Sequence, residues 1–202
     1  MKPSHVQHHK TLNFLDASPG VRQLRIIDVG PGDGFAMEEF IARGATKVVG
    51  LETDQNKVKR LRARGLEVQP GDGGFPLHSF DLVWCHHVLE HQNGSREFLD
   101  VLRTLMAPHG RLWITVPNMA GVDVFSPGHI LNFNAPTLVE HLRRAGFDVE
   151  NCSIWADGGQ LRVRARLWGQ EGLSPYPKPM ADALKAVGRC PAKVLELVNW
   201  EI

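Results

Sequence analysis

The stretch RIIDVGPGDGFAMEEFIARG, residues 25–44, decides the fold. It opens with a short apolar run rich in β-branched residues, which is typical of a buried parallel strand. Glycines follow at Gly30, Gly32 and Gly34, and apolar residues then recur at helical spacing. Glycine lets a chain turn sharply and lets a ligand come close, and the helix that follows offers unpaired N–H groups. We therefore expect a strand, a ligand-binding turn and a helix.

The spacing of the glycines separates two classes of nucleotide site. A dinucleotide fingerprint reads G-x-G-x-x-G/A, with a small residue at its third position. Phe35 occupies that position here, and the glycines instead follow a G-x-G-x-G spacing after Asp28. This disfavours a nicotinamide-dependent oxidoreductase. A glycine triplet can also be a purely structural turn, so the triplet alone does not establish a binding site.

Composition narrows the class of protein. The chain has 202 residues, 43% hydrophobic and 22% charged, with a formal net charge of +1, so we expect a soluble domain that binds neither nucleic acid nor a membrane. Its three cysteines lie far apart, without metal-ligand spacing, which favours reduced thiols in a cytoplasmic protein. No apolar run reaches the length of a membrane span, and no signal-peptide core is evident at the N-terminus.

Strand and helix patterns alternate along the rest of the chain. Three further helices are predicted: one capped by Asp54, one capped by Ser95, and one that starts at Pro136 and ends at Gly146. Predicted strands occupy residues 26–29, 46–52, 66–69, 80–85, 111–116, 147–154 and 161–167. This alternation predicts an α/β fold, a doubly wound parallel sheet between two helical layers. The glycine-rich linker before residue 161 indicates a hairpin, so the last pair should be antiparallel. Ligands of such sheets bind at the carboxyl edge of the strands.

Three segments are expected: a flank at 1–24, the main domain at 25–167, and a linker with an amphipathic tail at 168–202. The tail could cover the site, pack on the body or pair with another subunit, so a dimer is possible and the oligomeric state is open. The pair His8-His9 lacks metal-binding partners, and the basic run between Lys57 and Arg64 is interpreted as a solvated helix face.

With these elements placed, the chain resembles the class I S-adenosylmethionine-dependent methyltransferases. Within them it is most similar to the small-molecule branch typified by ubiquinone-biosynthesis methyltransferases. The resemblance spans residues 25–167 and rests on motifs in register: DVGPGDG (28–34), VGLE (49–52), GDG (71–73), FDLV (80–83) with VLEH (88–91), LMAPHGRL (105–112), and GH (128–129) before RAGF (144–147). It implies a Rossmann-like sheet of seven strands, the last antiparallel, with S-adenosylmethionine as the cofactor and a small molecule as the methyl acceptor.

The resemblance also implies which residues bind the cofactor. The glycines would approach its methionine part, and Asp28 would fix the turn and the amino group. Glu52 would take both ribose hydroxyls, since a carboxylate has two acceptor oxygens. Thr53 would lie near the adenine. The full set is Asp28, Gly30, Gly32, Gly34, Glu52, Thr53, Asp72, Gly73, Cys85 and His86.

Three histidines are candidates for a general base, which is needed only if the acceptor is a neutral hydroxyl or an acidic carbon. His86 and His87 follow the fourth strand, and His129 lies in a loop where the family places acceptor contacts. The same three could instead only shape the pocket, and His91 is expected to be structural. His86, Glu90 and His91 could imitate a metal site, but we expect no metal. A non-catalytic module that binds the cofactor is the alternative function.

Overall fold

The computed structural model describes residues 20–71, 74–119, 128–154 and 159–168. Predictions about the N-terminal flank, Asp72, Gly73, the linker before residue 159 and the tail beyond residue 168 lie outside these ranges. In chain order the elements are β1 (Arg25–Val29), α1 (Phe35–Ala42), β2 (Lys47–Glu52), α2 (Gln55–Arg62), β3 (Val68–Pro70), β4 (Phe80–His86), a 3₁₀ turn (Leu89–His91), α3 (Ser95–Leu105), β5 (Met106–Pro117), α4 (Ala135–Arg144), β6 (Phe147–Ile154) and β7 (Gln160–Leu167).

The seven strands form one sheet in the order β3-β2-β1-β4-β5-β7-β6. The first five strands are parallel, and β7 runs antiparallel to both β5 and β6. The predicted sheet of seven strands with its last strand antiparallel is therefore confirmed. The strand order reverses between β1 and β4, and such a reversal leaves a crevice at the carboxyl ends of the two strands.

Two apolar clusters lie on opposite faces of this sheet. One packs Phe98 and Leu102 of α3 with Leu138 of α4 against the strands. The other packs Phe40 of α1 and Leu61 of α2 with two stacked tryptophans, Trp84 and Trp113. The expected three layers are thus present. Among the described residues no helix is both long and apolar enough to cross a bilayer.

Two predicted boundaries are wrong: the start of β5 and the start of α3. Strand β5 begins at Met106 rather than at residue 111, because the chain passes through Pro108-His109-Gly110 as an irregularity of the strand, with a register shift against β4. His109 takes a left-handed φ of 63° there. Gly94, not Ser95, precedes the first helical residue of α3, and no side chain caps that helix.

Other local predictions are confirmed. The Asp54 carboxylate accepts hydrogen bonds from the main-chain N–H groups of Asn56 and Lys57, so it caps α2. Gly146 follows α4 with a φ of 86°, the left-handed conformation that ends helices. The basic run on α2 is engaged locally: Arg62 donates to the carbonyl of Val68 at 2.8 Å. The interpretation of the whole run as a solvated helix face stays a prediction.

Candidate active site

Of the three glycines in the turn between β1 and α1, only Gly32 has free space beside it among the described residues. Gly30, Gly32 and Gly34 all have positive φ, of 72°, 59° and 84°. A Cβ on Gly30 would lie 2.6 Å from Val88 Cγ2, and one on Gly34 would lie 2.7 Å from Leu61 Cδ2. A Cβ on Gly32 would meet no atom of the described residues within 4 Å. Packing therefore requires glycine at the outer two positions, whereas at Gly32 the main chain borders open space that a ligand can enter.

Asp28 presents a buried carboxylate beside this turn. It is 2% exposed, and its Oδ2 atom has no hydrogen-bond partner among the described residues. Burial, and then the charge of Glu52, raises the pKa of Asp28 to about 8. Ionising an unpaired buried carboxyl group is costly, so Asp28 keeps its proton at neutral pH until a cationic ligand group compensates its charge.

Glu52 ends β2 on the same edge and is held by its own loop. Its Oε1 accepts from the N–H groups of Thr53 at 2.9 Å and Asp54 at 3.0 Å, and its Oε2 lies 3.9 Å from Lys57 Nζ. The carboxylate is therefore oriented before any ligand binds. A Cβ on Gly71 would clash with Thr53 Cγ2, so Gly71 lies directly against Thr53.

The two predicted cofactor contacts at the end of β4 lie on opposite faces of the sheet. Cys85 is fully buried in the α3 and α4 cluster. Burial, with the nearby charges of Glu90 and Asp28, raises the pKa of this thiol well above its usual range, so the thiol stays neutral. The ring of His86 instead stacks on Trp84, with the ring centroids 6.0 Å apart. Contact of either residue with a cofactor stays a prediction.

His87 follows β4 in an unusual backbone conformation. Its φ of 56° is left-handed, which few residues other than glycine adopt, and its N–H donates to the carbonyl of Thr115 at 2.9 Å. Its Nδ1 lies 2.8 Å from Oε1 of Glu90, and its ring stands 4.6 Å from that of His86. The side chain is 28% exposed, yet its Nε2 is shielded from solvent and has no partner in the described ranges.

Glu90 joins His87 to a segment more than thirty residues further along the chain. Its main-chain carbonyl accepts from the N–H groups of Ile130 and Leu131, at 2.8 Å and 2.9 Å. His91, next to it, shares a hydrogen bond of 2.9 Å between its Nδ1 and the carbonyl of Gly128. The His91 and His129 rings meet edge to face, 4.9 Å apart. We call His86, His87, Glu90, His91 and His129 the histidine cluster.

The structure thus brings the predicted His86, His87 and His129 together and adds Glu90 at their centre. Sequence reasoning considered Glu90 only as part of an imitation metal site. The sequence did offer one signal: an acid, Glu90, directly follows the apolar pair Val88-Leu89. The fold buries this acid completely. Such a buried acid needs a partner.

The donor group that the structure assembles differs from the one considered in the sequence. Glu90, His91 and His129 each offer one ligand atom, and these atoms lie within 4.8 Å of one another. The sequence interpretation had grouped His86 with Glu90 and His91, whereas the structure groups His129 with them. Two imidazoles and a carboxylate suit a divalent transition metal. The expectation of no metal stays a prediction.

Known proteins were compared with the chain. Residues 5–151 match the family described as "Methyltransferase domain". The chain is 29% identical over 172 residues to a Mycolicibacterium smegmatis protein named "Probable S-adenosylmethionine-dependent methyltransferase", covering 78% of this chain and 65% of that one. It is 32% identical over 128 residues to the ubiquinone biosynthesis O-methyltransferase of Aeromonas salmonicida, covering 58% and 53%. An S-adenosylmethionine-dependent methyltransferase crystal structure from Mesorhizobium loti matches with a TM-score of 0.64 at 20% identity, covering 76% and 96%.

These matches differ in what they establish. The structural match, at 20% identity, shows the fold. The chain spans 65% and 53% of the lengths of the two curated relatives, so their whole activities do not transfer to it. The family match covers 147 of 202 residues and includes the glycine turn, Glu52 and the whole histidine cluster. The chain therefore belongs to the S-adenosylmethionine-dependent methyltransferase family.

Proposed function

We propose that the chain transfers the methyl group of S-adenosylmethionine to a small-molecule acceptor at the carboxyl edge of the sheet. The observation that supports this most is the unpaired, buried Asp28 carboxylate beside the open space at Gly32. The methionine part of the cofactor carries an ammonium group, which would satisfy that carboxylate. The donor set of the chain therefore fits the family's cofactor.

The residues of this edge bind and orient. Gly32 admits the ligand to the main chain, Asp28 takes a cation, and Glu52 offers a fixed carboxylate to two vicinal hydroxyls. The cofactor supplies an activated methyl group together with its own leaving group. Alignment of the acceptor and exclusion of water can then supply much of the acceleration, on the order of 7–11 kcal/mol. In this proposal Asp72 and Gly73 contact the adenine, and Cys85 and His86 border the methionine side.

The acceptor side of the site is the histidine cluster. His87 and His129 come from segments far apart in sequence and meet around the carboxylate of Glu90. A polar surface of this kind suits a small polar acceptor, and the name of the Aeromonas relative also refers to a small-molecule pathway. A net charge of +1 gives no general attraction for nucleic acid. Oxygen, nitrogen and carbon acceptors remain within the proposal.

Calorimetry tests the cofactor half of the proposal. Titration of the full chain with S-adenosylmethionine, and separately with S-adenosylhomocysteine, should give saturable 1:1 binding, whereas NAD⁺ should give none. Flat thermograms for both sulfur nucleosides would overturn the proposal. Saturable binding of NAD⁺ alone would instead support the nicotinamide interpretation that Phe35 disfavours.

Radiolabel transfer tests the acceptor half. The chain should move tritium from methyl-labelled S-adenosylmethionine to at least one compound in a panel of phenols, amines and carboxylates. The replacement of both His87 and His129 by Ala should lower transfer while leaving S-adenosylhomocysteine affinity within about twofold. Cofactor binding with no transfer to any class in the panel would favour the non-catalytic module.

A further inference from the structure

Glu90 is the one carboxylate of the histidine cluster, and it is 0% exposed. One of its oxygens, Oε1, meets His87 Nδ1 at 2.8 Å, and the other has no hydrogen-bond partner in the described part of the chain. A carboxylate can only accept hydrogen bonds. With Glu90 ionised, the shared proton lies on His87 Nδ1, and the lone pair of the neutral ring lies on Nε2.

The backbone holds His87 in place for this contact. A left-handed residue other than glycine costs roughly 1–2 kcal/mol, and such strain is found most often at functional sites. His87 adopts this conformation directly after β4 and is held by the hydrogen bond from its N–H to the carbonyl of Thr115. The ring consequently leaves the line of the strand and meets Glu90 three residues later.

The lone pair on Nε2 is kept away from water. That atom is shielded from solvent and makes no hydrogen bond with any described residue. An imidazole that only filled space or held the fold would be expected to pair both of its nitrogens. A shielded, unpaired acceptor atom at a sheet edge is instead suited to receive a proton from a bound ligand.

We propose that Glu90 is a positioning residue that fixes His87 as the general base, acting through Nε2 on an acceptor that carries a removable proton. This inference rests on the proposed function. The acceptor's nucleophilic atom bonds to the methyl carbon as the sulfur–methyl bond breaks, and that bond's electron pair stays on sulfur. The acceptor's proton goes to Nε2 of His87, and the imidazolium so formed is balanced by the Glu90 carboxylate.

The tautomer of His87 is the first readout, and it needs neither cofactor nor acceptor. In the wild-type chain, long-range ¹H–¹⁵N correlation spectra should show His87 protonated at Nδ1 and not at Nε2. Glu90→Gln should convert this to a mixture, because an amide can donate to Nδ1 as well as accept from it. Glu140→Gln, the same change at an exposed acid of α4, is the matched control. An unchanged His87 tautomer in Glu90→Gln would overturn the inference.

Kinetics give the second readout, with whichever acceptor of the panel is turned over. Glu90→Gln and His87→Gln should each lower kcat by about 10²-fold or more, with the acceptor KM and S-adenosylhomocysteine affinity changed little. The double variant should be no worse than either single variant, because the two side chains act as one unit. His78→Gln is the control, since His78 is also left-handed, with a φ of 54°, but bonds to a main-chain carbonyl outside the site.

The pH profile separates this role from a structural one. Among the described residues, the titratable groups linked to His87 by contact are His86 on β4, Glu90 and His91 on the 3₁₀ turn, and His129 on the neighbouring segment. The kcat profile of the wild type should show an acid limb, and His87→Gln should lose that limb. Persistence of the limb in His87→Gln would assign it to another of these groups and contradict the inference.

The competing role for Glu90 is as a ligand of a divalent metal ion. If dialysis against EDTA abolished transfer and a metal restored it, and if His129→Ala removed that dependence, Glu90 would be a ligand together with His91 and His129, and the inference would fail. Failure of the proposed function is distinguishable, since it appears as absent cofactor binding or absent transfer in the wild type, whereas the His87 tautomer can be measured in either case.

Discussion

The proposed cofactor side consists mainly of main-chain groups, whereas the proposed acceptor side consists of side chains; we call them the cofactor side and the acceptor side. The cofactor side consists mainly of main chain: a glycine turn with three positive φ angles and a carboxylate held by its own loop. The acceptor side consists of side chains, in which His87 and Glu90 meet a segment that begins with Gly128, 37 residues beyond His91. The first kind of site is encoded in contiguous residues, and the second exists only once the fold has formed.

The largest expected effect comes from adding one methyl group to the cofactor side, at Gly32. Gly32→Ala should lower S-adenosylhomocysteine affinity by at least about 100-fold, or about 2.7 kcal/mol, because its Cβ would enter the open space that the ligand needs. Calorimetric titration of the variant measures this. Gly65→Ala is a matched control, since Gly65 also has a positive φ, of 81°, and open space around it, but lies outside the site.

Both glycine variants should lose similar stability, roughly 1 kcal/mol, from the left-handed backbone alone. Only Gly32→Ala should lose the ligand. If the two variants bound S-adenosylhomocysteine equally well, the open space at Gly32 would not be the cofactor site.

Asp28→Asn should move stability and binding in opposite directions. The pKa of Asp28 is raised to about 8 in the folded chain, from an ordinary value of 3.8. The folded state therefore keeps a proton that the unfolded chain loses, so wild-type stability should fall as pH rises from about 4 to about 8. The variant lacks this titration and should be more stable than the wild type at pH 8, by about 2 kcal/mol or about 4–8 °C in Tm.

Thermal unfolding of both proteins at pH 5 and pH 8 measures this difference. The same variant should bind S-adenosylhomocysteine more weakly, because an amide offers no charge to the ligand's ammonium. A wild type whose Tm did not fall relative to the variant between these pH values would show that Asp28 is not buried as an unpaired acid.

Sequence reasoning reached the two sides of the site unequally. The G-x-G-x-G turn, the position of Glu52 at the end of β2 and the cap at Asp54 were all predicted, because each depends on spacing within about thirty residues. The position of Glu90 was missed, because its importance comes from contacts with Ile130 and Leu131 that no local pattern records. The start of β5 was placed late for a related reason: Pro108 and Gly110 indicate a loop locally, but β4 pairs with the chain on both sides of them, at Met106 and again from Arg111.

Glu52→Gln tests how much of the cofactor side depends on charge rather than shape. The amide oxygen can still accept from Thr53 and Asp54, so the loop should keep its conformation. The charged hydrogen bonds to a ribose diol would be weakened, and S-adenosylhomocysteine affinity should fall about tenfold, or about 1.4 kcal/mol. Glu67→Gln, at an exposed acid paired with Lys47, is the control and should leave affinity unchanged. Equal affinity in the two variants would remove Glu52 from the site.

The smallest expected effects are changes in unfolding free energy at the first residues of α2 and α3. Asp54 was predicted to cap α2 and does so, with its carboxylate accepting at 2.8 Å and 3.2 Å from the N–H groups of Asn56 and Lys57. Ser95 was predicted to cap α3, but it is already the first helical residue, and no side chain caps that helix. Asp54→Ala should therefore cost about 1 kcal/mol of unfolding free energy, and Ser95→Ala less than about 0.5 kcal/mol.

Urea unfolding of the two variants measures this contrast. Asp54 begins the helix that follows Glu52, whereas Ser95 begins the helix that follows the 3₁₀ turn of Glu90. The local signal was thus decisive beside the cofactor side and misleading beside the acceptor side, where the chain enters its helix from a turn fixed by distant contacts. A larger loss for Ser95→Ala than for Asp54→Ala would reverse that conclusion, because α3 would then depend on a local cap as α2 does.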